Sequence, residues 1–141
     1  MTAFTYVQPV RFADVDAAGI VYYPRFFHFF HVAFEELWRA RAGEHAYREL
    51  IARDRVGLPA VRAECEFRAP LRFGDTVEIE VSVAKLGARS IAFRYRAYRA
   101  GEPRVLCADG RVTCALVDLS RFVAIAVPER VRELLADLIE T

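Results

Sequence analysis

The chain has 141 residues, of which 55% are hydrophobic and 28% are charged, a composition typical of a globular protein and not of a disordered one. With 20 basic and 19 acidic side chains the net charge is +1, which provides no bulk attraction to nucleic acid. We therefore expect a single domain spanning residues 1–141, long enough for one substantial core, with no nucleic acid partner.

Neither a targeting segment nor a disulfide framework is indicated. Residues 1–6 lack the basic region and apolar run of a signal peptide, and no run of about 18 apolar residues could span a membrane. The cysteines at positions 65, 107 and 114 are odd in number and have no C-x-x-C spacing, so we expect buried thiols and neither a zinc ribbon nor disulfides. A cytoplasmic protein with no membrane partner is the expectation.

The first predicted elements are a strand and a long aromatic helix. The strand covers residues 3–12, and Pro9 implies that it is an edge strand or carries a bulge. The helix is expected to begin near Tyr23 or Pro24, because proline suits the first helical position. Between residues 26 and 38, apolar side chains cover far more than one stripe of this helix. Such a helix must be buried on most sides, which requires a sheet wrapped around it.

The remainder of the chain is predicted to contain a second helical segment, several antiparallel strands and a final helix. Gly43 is expected to end the central helix, and from residue 61 alternating apolar and polar residues indicate strands, the first of them half-buried. The segments are a helix or helical loop over 44–55, strands over 61–68, 77–83, 91–98, 105–117 and 122–127, and a helix opened by Pro128. This order predicts an α+β fold with an antiparallel sheet of five or six strands.

Chemistry is expected where the first strand meets the helix, because two carboxylates, Asp14 and Asp16, precede the helix start. The first N–H groups of a helix are unpaired and carry a partial positive charge, so they can polarise a carbonyl while a carboxylate attacks it or activates water. With Pro24 as the first helical residue, free donors are expected at Arg25 and Phe26. This arrangement suggests ester or thioester hydrolysis, although Asp, Ala and Gly before a helix are also ordinary turn and capping residues.

A family resemblance favours the catalytic interpretation. The run Asp14-Val15-Asp16-Ala17-Ala18-Gly19-Ile20-Val21-Tyr22-Tyr23-Pro24 closely resembles the signature of the 4-hydroxybenzoyl-CoA thioesterase family of hotdog-fold enzymes, and the resemblance continues through residues 57–59, 70–75 and 85–90. It implies a hotdog fold, hydrolysis of an acyl-CoA to the free acid and coenzyme A, and no cofactor besides the thioester substrate. It also implies a homodimer or homotetramer whose active site lies between two chains.

The resemblance also implies the roles of individual residues in catalysis. Asp16 is the catalytic carboxylate, acting either as a nucleophile through a mixed anhydride or as a general base on water. The backbone N–H of Tyr23 polarises the carbonyl, and Gly19 shapes the turn. We expect turnover to be lost in Asp16→Asn and retained in Asp14→Asn.

Substrate contacts follow from the same resemblance. Phe26 and His31 are expected in the acyl pocket, whose aromatic-proline signature resembles enzymes that act on aromatic acyl-CoAs. At the positions where the 4-hydroxybenzoyl enzyme has an acidic residue facing the ring hydroxyl and a neighbouring threonine, this chain has His31 and Leu58. The basic turn with Lys85, Arg89 and Ser90 is expected to contact the phosphates and pantetheine of coenzyme A.

Other constellations are weaker. His28, His31 and Glu35 share one helix face, but their spacing is not the H-E-x-x-H pattern, and we expect no metal site. The serines have no G-x-S-x-G context. Two functional alternatives stay open: a non-catalytic acyl-CoA-binding or sensing protein on the same fold, and a thioesterase acting on acyl carrier protein.

Overall fold

A computed structural model describes residues 2–141, and its main feature is a five-stranded antiparallel sheet curled around one helix. The elements are β1 (Phe4–Pro9), α1 (Arg25–Ala42), α2 (Ala46–Ala52), β2 (Val56–Gly57), β3 (Ala60–Phe67), β4 (Thr76–Leu86), β5 (Ser90–Arg99), β6 (Val105–Ala115), β7 (Val117–Asp118), β8 (Val123–Ala124) and α3 (Glu129–Leu135). The strand order in the large sheet is β1-β4-β5-β6-β3. The α+β architecture predicted from the sequence is confirmed.

The central helix α1 is buried as its composition predicted. Its buried residues are Phe26, Phe29, Phe30, Ala33, Phe34, Leu37 and Trp38. Pro24 is the N-cap, so the first helical residue is Arg25, and Gly43 ends the helix with a φ of 113° while its N–H donates to the carbonyl of Arg39. This aromatic face packs into one core with buried residues of the sheet and of α3.

The sheet and the helix meet closely at one glycine. Gly110 on β6 lies under the ring of Phe30, and a Cβ at this position would lie 2.4 Å from Cε2 of Phe30. On the other side, the Phe30 ring stacks on Tyr95 of β5 with centroids 4.9 Å apart. Since a side chain at position 110 would displace Phe30, the glycine permits the close contact between α1 and the sheet.

Several element boundaries differ from those predicted. The first strand ends at Pro9, and a short 3-10 turn over Phe12–Asp14 replaces its predicted end. The second helix covers only Ala46–Ala52. Of the strand predicted over residues 122–127, only Val123–Ala124 is a strand, and Phe122, with a positive φ of 53°, lies in the turn before it.

Strand β3 is more exposed than its alternating sequence predicted. All of its residues are exposed except Cys65, which is half-buried. The strand pairs only with β6 and forms one edge of the sheet. Its inward-facing residues border open space beside α1, which is why the strict alternation does not produce burial.

The shorter elements close the ends of the core. Strands β2, β7 and β8 form a small three-stranded sheet, and α3, opened by Pro128 as predicted, buries Val131 and Leu135. No helix within residues 2–141 has the length and hydrophobicity needed to span a bilayer.

Candidate active site

A small hairpin over residues 14–22, which we call the DxD hairpin, precedes α1. Val15 and Val21 form an antiparallel bridge, the Asp16 N–H donates to the carbonyl of Ile20 at 3.0 Å, and the Gly19 N–H donates to the carbonyl of Asp16 at 2.9 Å. Gly19 has a φ of +84°, a conformation that favours glycine. The hairpin therefore brings Asp16 next to the segment that enters the helix.

Asp14 is a buried anchor of the DxD hairpin. Its side chain is 5% exposed, and its Oδ1 accepts a hydrogen bond from Nε of Arg25 at 2.7 Å. Its Oδ2 accepts the Arg11 N–H at 2.8 Å. Because Arg11 lies before the hairpin and Arg25 after it, one carboxylate links the two ends of the DxD hairpin.

Asp16, in contrast, is exposed. Its Oδ1 accepts the N–H of Ala18 at 2.8 Å, which fixes the side chain within the turn. Its Oδ2 has no hydrogen-bond partner in residues 2–141. An ionised carboxylate held at one oxygen and free at the other can attack a carbonyl carbon or accept a proton from water.

The backbone donors at the start of α1 differ from those expected. The N–H groups of Arg25, Phe26 and Phe27 donate to the carbonyls of Tyr22, Tyr23 and Pro24 at 2.8, 3.2 and 3.1 Å. The expectation of free donors at Arg25 and Phe26 is therefore wrong, because the chain enters the helix through tight turns that satisfy them. The Tyr23 N–H has no acceptor in the part of the chain that the structure describes.

An open apolar depression of about 440 Å³ adjoins Tyr23. It is lined by Ile20, Val21, Tyr23, Phe26, Phe67, Arg68, Ala69 and Pro70. The Phe67 ring, on edge strand β3, packs edge-on against Phe26 at 5.5 Å and against Tyr23 at 6.1 Å. The predicted acyl-pocket residue Phe26 is thus at the wall nearest the Tyr23 donor.

A second, mainly apolar cavity of about 360 Å³ extends along α1; we call it the Tyr95 cavity. It is lined by Phe27, Phe30, His31, Phe34, Tyr47, Leu58, Ala60, Ala63, Tyr95, Val112 and Cys114. The predicted pocket residues His31 and Leu58 both line it. His31 Nε2 also lies 3.0 Å from Glu35 Oε2, and both side chains are about half exposed.

The residues predicted to contact coenzyme A lie away from both cavities. Lys85 belongs to β4 and Ser90 begins β5, so the predicted turn is shorter than expected, and neither residue nor Arg89 lines either cavity. The DxD hairpin is attached near the other end of β4, since the Val21 N–H donates to the carbonyl of Leu71. At about 3.3 Å per residue, Lys85 is on the order of 30 Å from the start of β4.

Tyr47, Tyr95 and Arg25 are candidate functional residues that sequence analysis missed. Only the backbone N–H of Arg25 was considered in the sequence analysis, because the separation of eleven residues between its side chain and Asp14 gives no local signal. Tyr95 carried a usable signal: it alternates with outward-facing arginines and so places a polar hydroxyl on the inner face of β5. Tyr47 joins the cavity only through tertiary packing.

Burial keeps the cysteine thiols protonated. It raises the pKa of Cys114, which lines the Tyr95 cavity, to about 11. Burial likewise raises the pKa of Cys65 to about 11. Since the thiolate is the nucleophilic form, these residues are poor candidates for a covalent mechanism.

Comparisons with known proteins show which family this chain resembles. Residues 10–135 match the model of the thioesterase-like superfamily. A 1,4-dihydroxy-2-naphthoyl-CoA hydrolase from Synechocystis is 30% identical over 131 residues, covering 92% of this chain and 86% of the relative.

Solved structures extend the likeness to the fold. A 1,4-dihydroxy-2-naphthoyl-CoA thioesterase from Synechocystis superposes with a TM-score of 0.87 at 26% identity, covering 97% of this chain and 98% of the other. A 4-hydroxybenzoyl-CoA thioesterase with its substrate bound superposes with a TM-score of 0.83 at 23% identity, covering 94% and 98% of the two chains, and shares the fold. The hotdog fold expected from the sequence is confirmed.

Proposed function

The chain belongs to the thioesterase-like superfamily and is a thioester hydrolase, and on that premise we propose that Asp16 and the Tyr23 N–H together hydrolyse an aromatic acyl-CoA. The free acid and coenzyme A are the products. Asp16 supplies the carboxylate, and the Tyr23 N–H polarises the thioester carbonyl. Gly19 shapes the turn that holds Asp16.

One observation supports this proposal. Within residues 2–141, Oδ2 of Asp16 in the DxD hairpin and the N–H of Tyr23, directly after the hairpin, have no hydrogen-bond partner. The neighbouring donors at Arg25, Phe26 and Phe27 are all used in turns, and the neighbouring carboxylate of Asp14 is buried in an ion pair. Free polar groups that stand next to fully satisfied ones are available for substrate. In the proposed arrangement, the thioester carbonyl oxygen accepts a hydrogen bond from the Tyr23 N–H, and Asp16 approaches the carbonyl carbon.

The reaction can proceed by either of two routes. In the first, an oxygen of Asp16 attacks the carbonyl carbon, the carbon–sulfur bond breaks, and water then hydrolyses the mixed anhydride. In the second, Asp16 removes a proton from the water that attacks the carbonyl carbon, the carbon–sulfur bond then breaks, and the departing thiolate of coenzyme A takes up a proton. Both routes build negative charge on the carbonyl oxygen, which the Tyr23 N–H and the positive end of α1 stabilise.

An aromatic acyl group suits the Tyr95 cavity. An apolar cavity of about 150 Å³ can hold benzene, so a cavity of about 360 Å³ has room for one or two substituted rings. Its walls are largely aromatic; Phe27 lines this cavity, and the preceding residue, Phe26, lines the depression beside Tyr23. The named relatives act on a dihydroxynaphthoyl thioester, which supports an aromatic substrate for this chain.

A second copy of the chain completes the proposed site. The exposed edge strand β3 carries Val61 and Phe67, which are 64% and 47% exposed, and unpaired edges are suited to pairing with another chain. Lys85, near the end of β4, and Arg89, in the turn that follows it, are too far away to reach a substrate held at their own Asp16. If they contact the phosphates of coenzyme A, as we propose, they do so from the partner in a homodimer or a tetramer.

A thiol-release assay on benzoyl, hydroxybenzoyl, naphthoyl and short aliphatic CoA thioesters tests the proposal. We expect the wild type to release coenzyme A from aromatic thioesters and Asp16→Asn to lose this activity. Tight binding of acyl-CoA without turnover by the wild type would favour the acyl-CoA sensor instead. Turnover of acyl carrier protein thioesters, but not of matched CoA thioesters, would favour the carrier-protein enzyme.

A further inference from the structure

Tyr95 is a buried polar residue without a protein partner. Its side chain lines the Tyr95 cavity, and the residue is 3% exposed. Its hydroxyl makes no hydrogen bond with any residue from 2 to 141. Within that range, Nε1 of Trp38 is the only fully enclosed side-chain nitrogen or oxygen without a hydrogen-bond partner. The Tyr95 hydroxyl is therefore accessible from the cavity. A buried hydroxyl without a partner destabilises the protein unless a ligand or water satisfies it.

The position of this hydroxyl is fixed by packing. The Tyr95 ring stacks on Phe30 at 4.9 Å with an interplanar angle of 10° and contacts Phe93 at 6.3 Å. Because Gly110 has no side chain, the Phe30 ring can lie directly against the backbone of β6. The hydroxyl therefore presents a rigid hydrogen-bonding group to the cavity, which is how binding sites gain specificity.

Tyr47 adds a second hydroxyl to the same cavity. Its ring is held by Phe34, edge-on at 5.2 Å, and by Trp38 at 5.8 Å, and its hydroxyl also has no partner among residues 2–141. Burial, followed by smaller contributions from Cys114 and Tyr47, raises the pKa of Tyr95 well above its usual range. Burial and nearby Glu35 likewise raise the pKa of Tyr47. Both residues therefore stay neutral and can donate a hydrogen bond at neutral pH.

We propose that Tyr95, assisted by Tyr47, hydrogen-bonds a hydroxyl group on the ring of the acyl group, so that the cavity selects hydroxylated aromatic acyl groups over unsubstituted ones. The proposal rests on the proposed function, because it assigns the Tyr95 cavity to the acyl group. His31, at the rim with Glu35, is too exposed to enforce this preference alone. An acyl group without a ring hydroxyl would leave both tyrosines unsatisfied in an apolar cavity.

The size of the preference follows from that penalty. An unsatisfied buried hydroxyl costs about 1–3 kcal/mol, which corresponds to a preference of roughly 5- to 150-fold in kcat/KM. Sites built to hydrogen-bond a substrate hydroxyl discriminate strongly against analogues that lack it.

The test compares matched substrates that differ by one hydroxyl: 4-hydroxybenzoyl-CoA with benzoyl-CoA, and 1,4-dihydroxy-2-naphthoyl-CoA with 1-hydroxy-2-naphthoyl-CoA. We expect the wild type to prefer the more hydroxylated member of at least one pair by at least fivefold. Tyr95→Phe, which keeps the ring and its stacking, should reduce that preference to less than twofold, because kcat/KM falls more for the more hydroxylated member than for the less hydroxylated one. Tyr47→Phe should reduce it partially.

Tyr98→Phe is the matched control, because Tyr98 lies on the outer face of the same strand, under the guanidinium of Arg104. It should leave the preference unchanged. A wild type that hydrolyses both members of each pair equally, or a preference that survives in Tyr95→Phe, would overturn the proposal while leaving the thioesterase assignment intact.

If the wild type hydrolysed none of these thioesters, the proposed function would fail, and the cavity could still be tested by binding. Calorimetry would then measure the affinities of the wild type and Tyr95→Phe for the unreactive analogues 4-hydroxyphenacyl-CoA and phenacyl-CoA. Tighter binding of the hydroxylated analogue that is lost in Tyr95→Phe supports the proposal, and equal affinities contradict it.

Discussion

Asp14 and Asp16 are two carboxylates of one motif, yet their surroundings are opposite. Asp14 is buried, and both of its oxygens are occupied by Arg11 and Arg25. Asp16 is exposed, and its side chain makes one hydrogen bond within residues 2–141, which leaves Oδ2 free. The difference supports the proposed division of roles, in which the first carboxylate holds the hairpin in place and the second carries out the chemistry.

The comparison also explains why the hairpin can keep a reactive geometry on an exposed surface. Asp14 connects the segment before the hairpin to the first residue of α1, and the Val21 N–H attaches the hairpin to Leu71. These contacts limit the movement of Asp16 relative to the Tyr23 N–H. A fixed geometry between the reacting groups is a large part of catalytic rate enhancement.

The largest expected effect comes from Asp16→Asn. We expect kcat to fall by at least about a hundredfold, because general base or nucleophilic catalysis of this kind contributes on the order of 10² or more. The free energy of unfolding should change by less than about 0.5 kcal/mol, since the exposed side chain makes one local hydrogen bond that the amide can retain. Steady-state kinetics and urea denaturation measure the two quantities. A large loss of stability would mean that Asp16 is also an anchor.

The reverse pattern is expected for Asp14→Asn. Removing one partner of a largely buried, hydrogen-bonded ion pair should lower the free energy of unfolding by about 1–3 kcal/mol. Turnover per folded molecule should fall less than tenfold, far less than in Asp16→Asn. Arg25→Gln is the matched variant, because it leaves the Asp14 charge buried without its guanidinium and should be at least as destabilising. Unchanged stability in both variants would contradict the anchor role.

Gly19→Ala probes the turn that separates the two roles. Because Gly19 has a φ of +84° and a Cβ there would meet no atom within 4 Å, the cost is backbone strain alone, about 1 kcal/mol. Gly19→Asn should recover part of this loss, because asparagine tolerates positive φ. The check is thermal denaturation of both variants. If Gly19→Ala proved more stable than Gly19→Asn, the result would contradict backbone strain at this turn.

The smallest expected effect concerns a third carboxylate, Asp109, which pairs with Arg94 through two hydrogen bonds of 2.8 and 3.1 Å on the outer sheet face. Its hydrogen bonds to Arg94 lower the pKa of Asp109. The pair therefore stabilises the fold above the ordinary carboxylate pKa of about 3.9, and this contribution is lost as the pH falls through the lower folded-state pKa.

Because the pair is partly exposed, its contribution should be less than about 1 kcal/mol. Urea denaturation of the wild type and Asp109→Asn at pH 6 and pH 2.5 measures it. The difference in stability between the two proteins should shrink at the lower pH. A difference that grew on acidification would contradict this account.

Features encoded by neighbouring residues were predictable from the sequence. The buried character of α1, its end at Gly43 and the opening of α3 by Pro128 each depend on local periodicity or on one proline or glycine. The DxD hairpin was located by motif resemblance. The exposure of β3 was not predictable, because alternation reveals two faces of a strand but not whether anything covers the inner one.

The less predictable features are those assembled from distant segments. The Tyr95 cavity combines residues of α1, α2, β3, β5 and β6, and the ion pair of Asp14 with Arg25 crosses an entire hairpin. The free donor at Tyr23 was indicated by the family resemblance, whereas a count from the helix start chose Arg25 and Phe26. Such a count fails because the backbone carbonyls of Tyr22 and Tyr23 accept those N–H groups, and the residue types do not reveal these turn hydrogen bonds.

The most direct test is a crystal structure of Asp16→Asn with an intact aromatic acyl-CoA bound. We predict that the thioester carbonyl oxygen lies about 3 Å from the Tyr23 nitrogen, that the substituted side chain faces the carbonyl carbon, and that the ring occupies the Tyr95 cavity. A carbonyl oxygen bound by other groups, with the Tyr23 N–H facing solvent, would contradict the account.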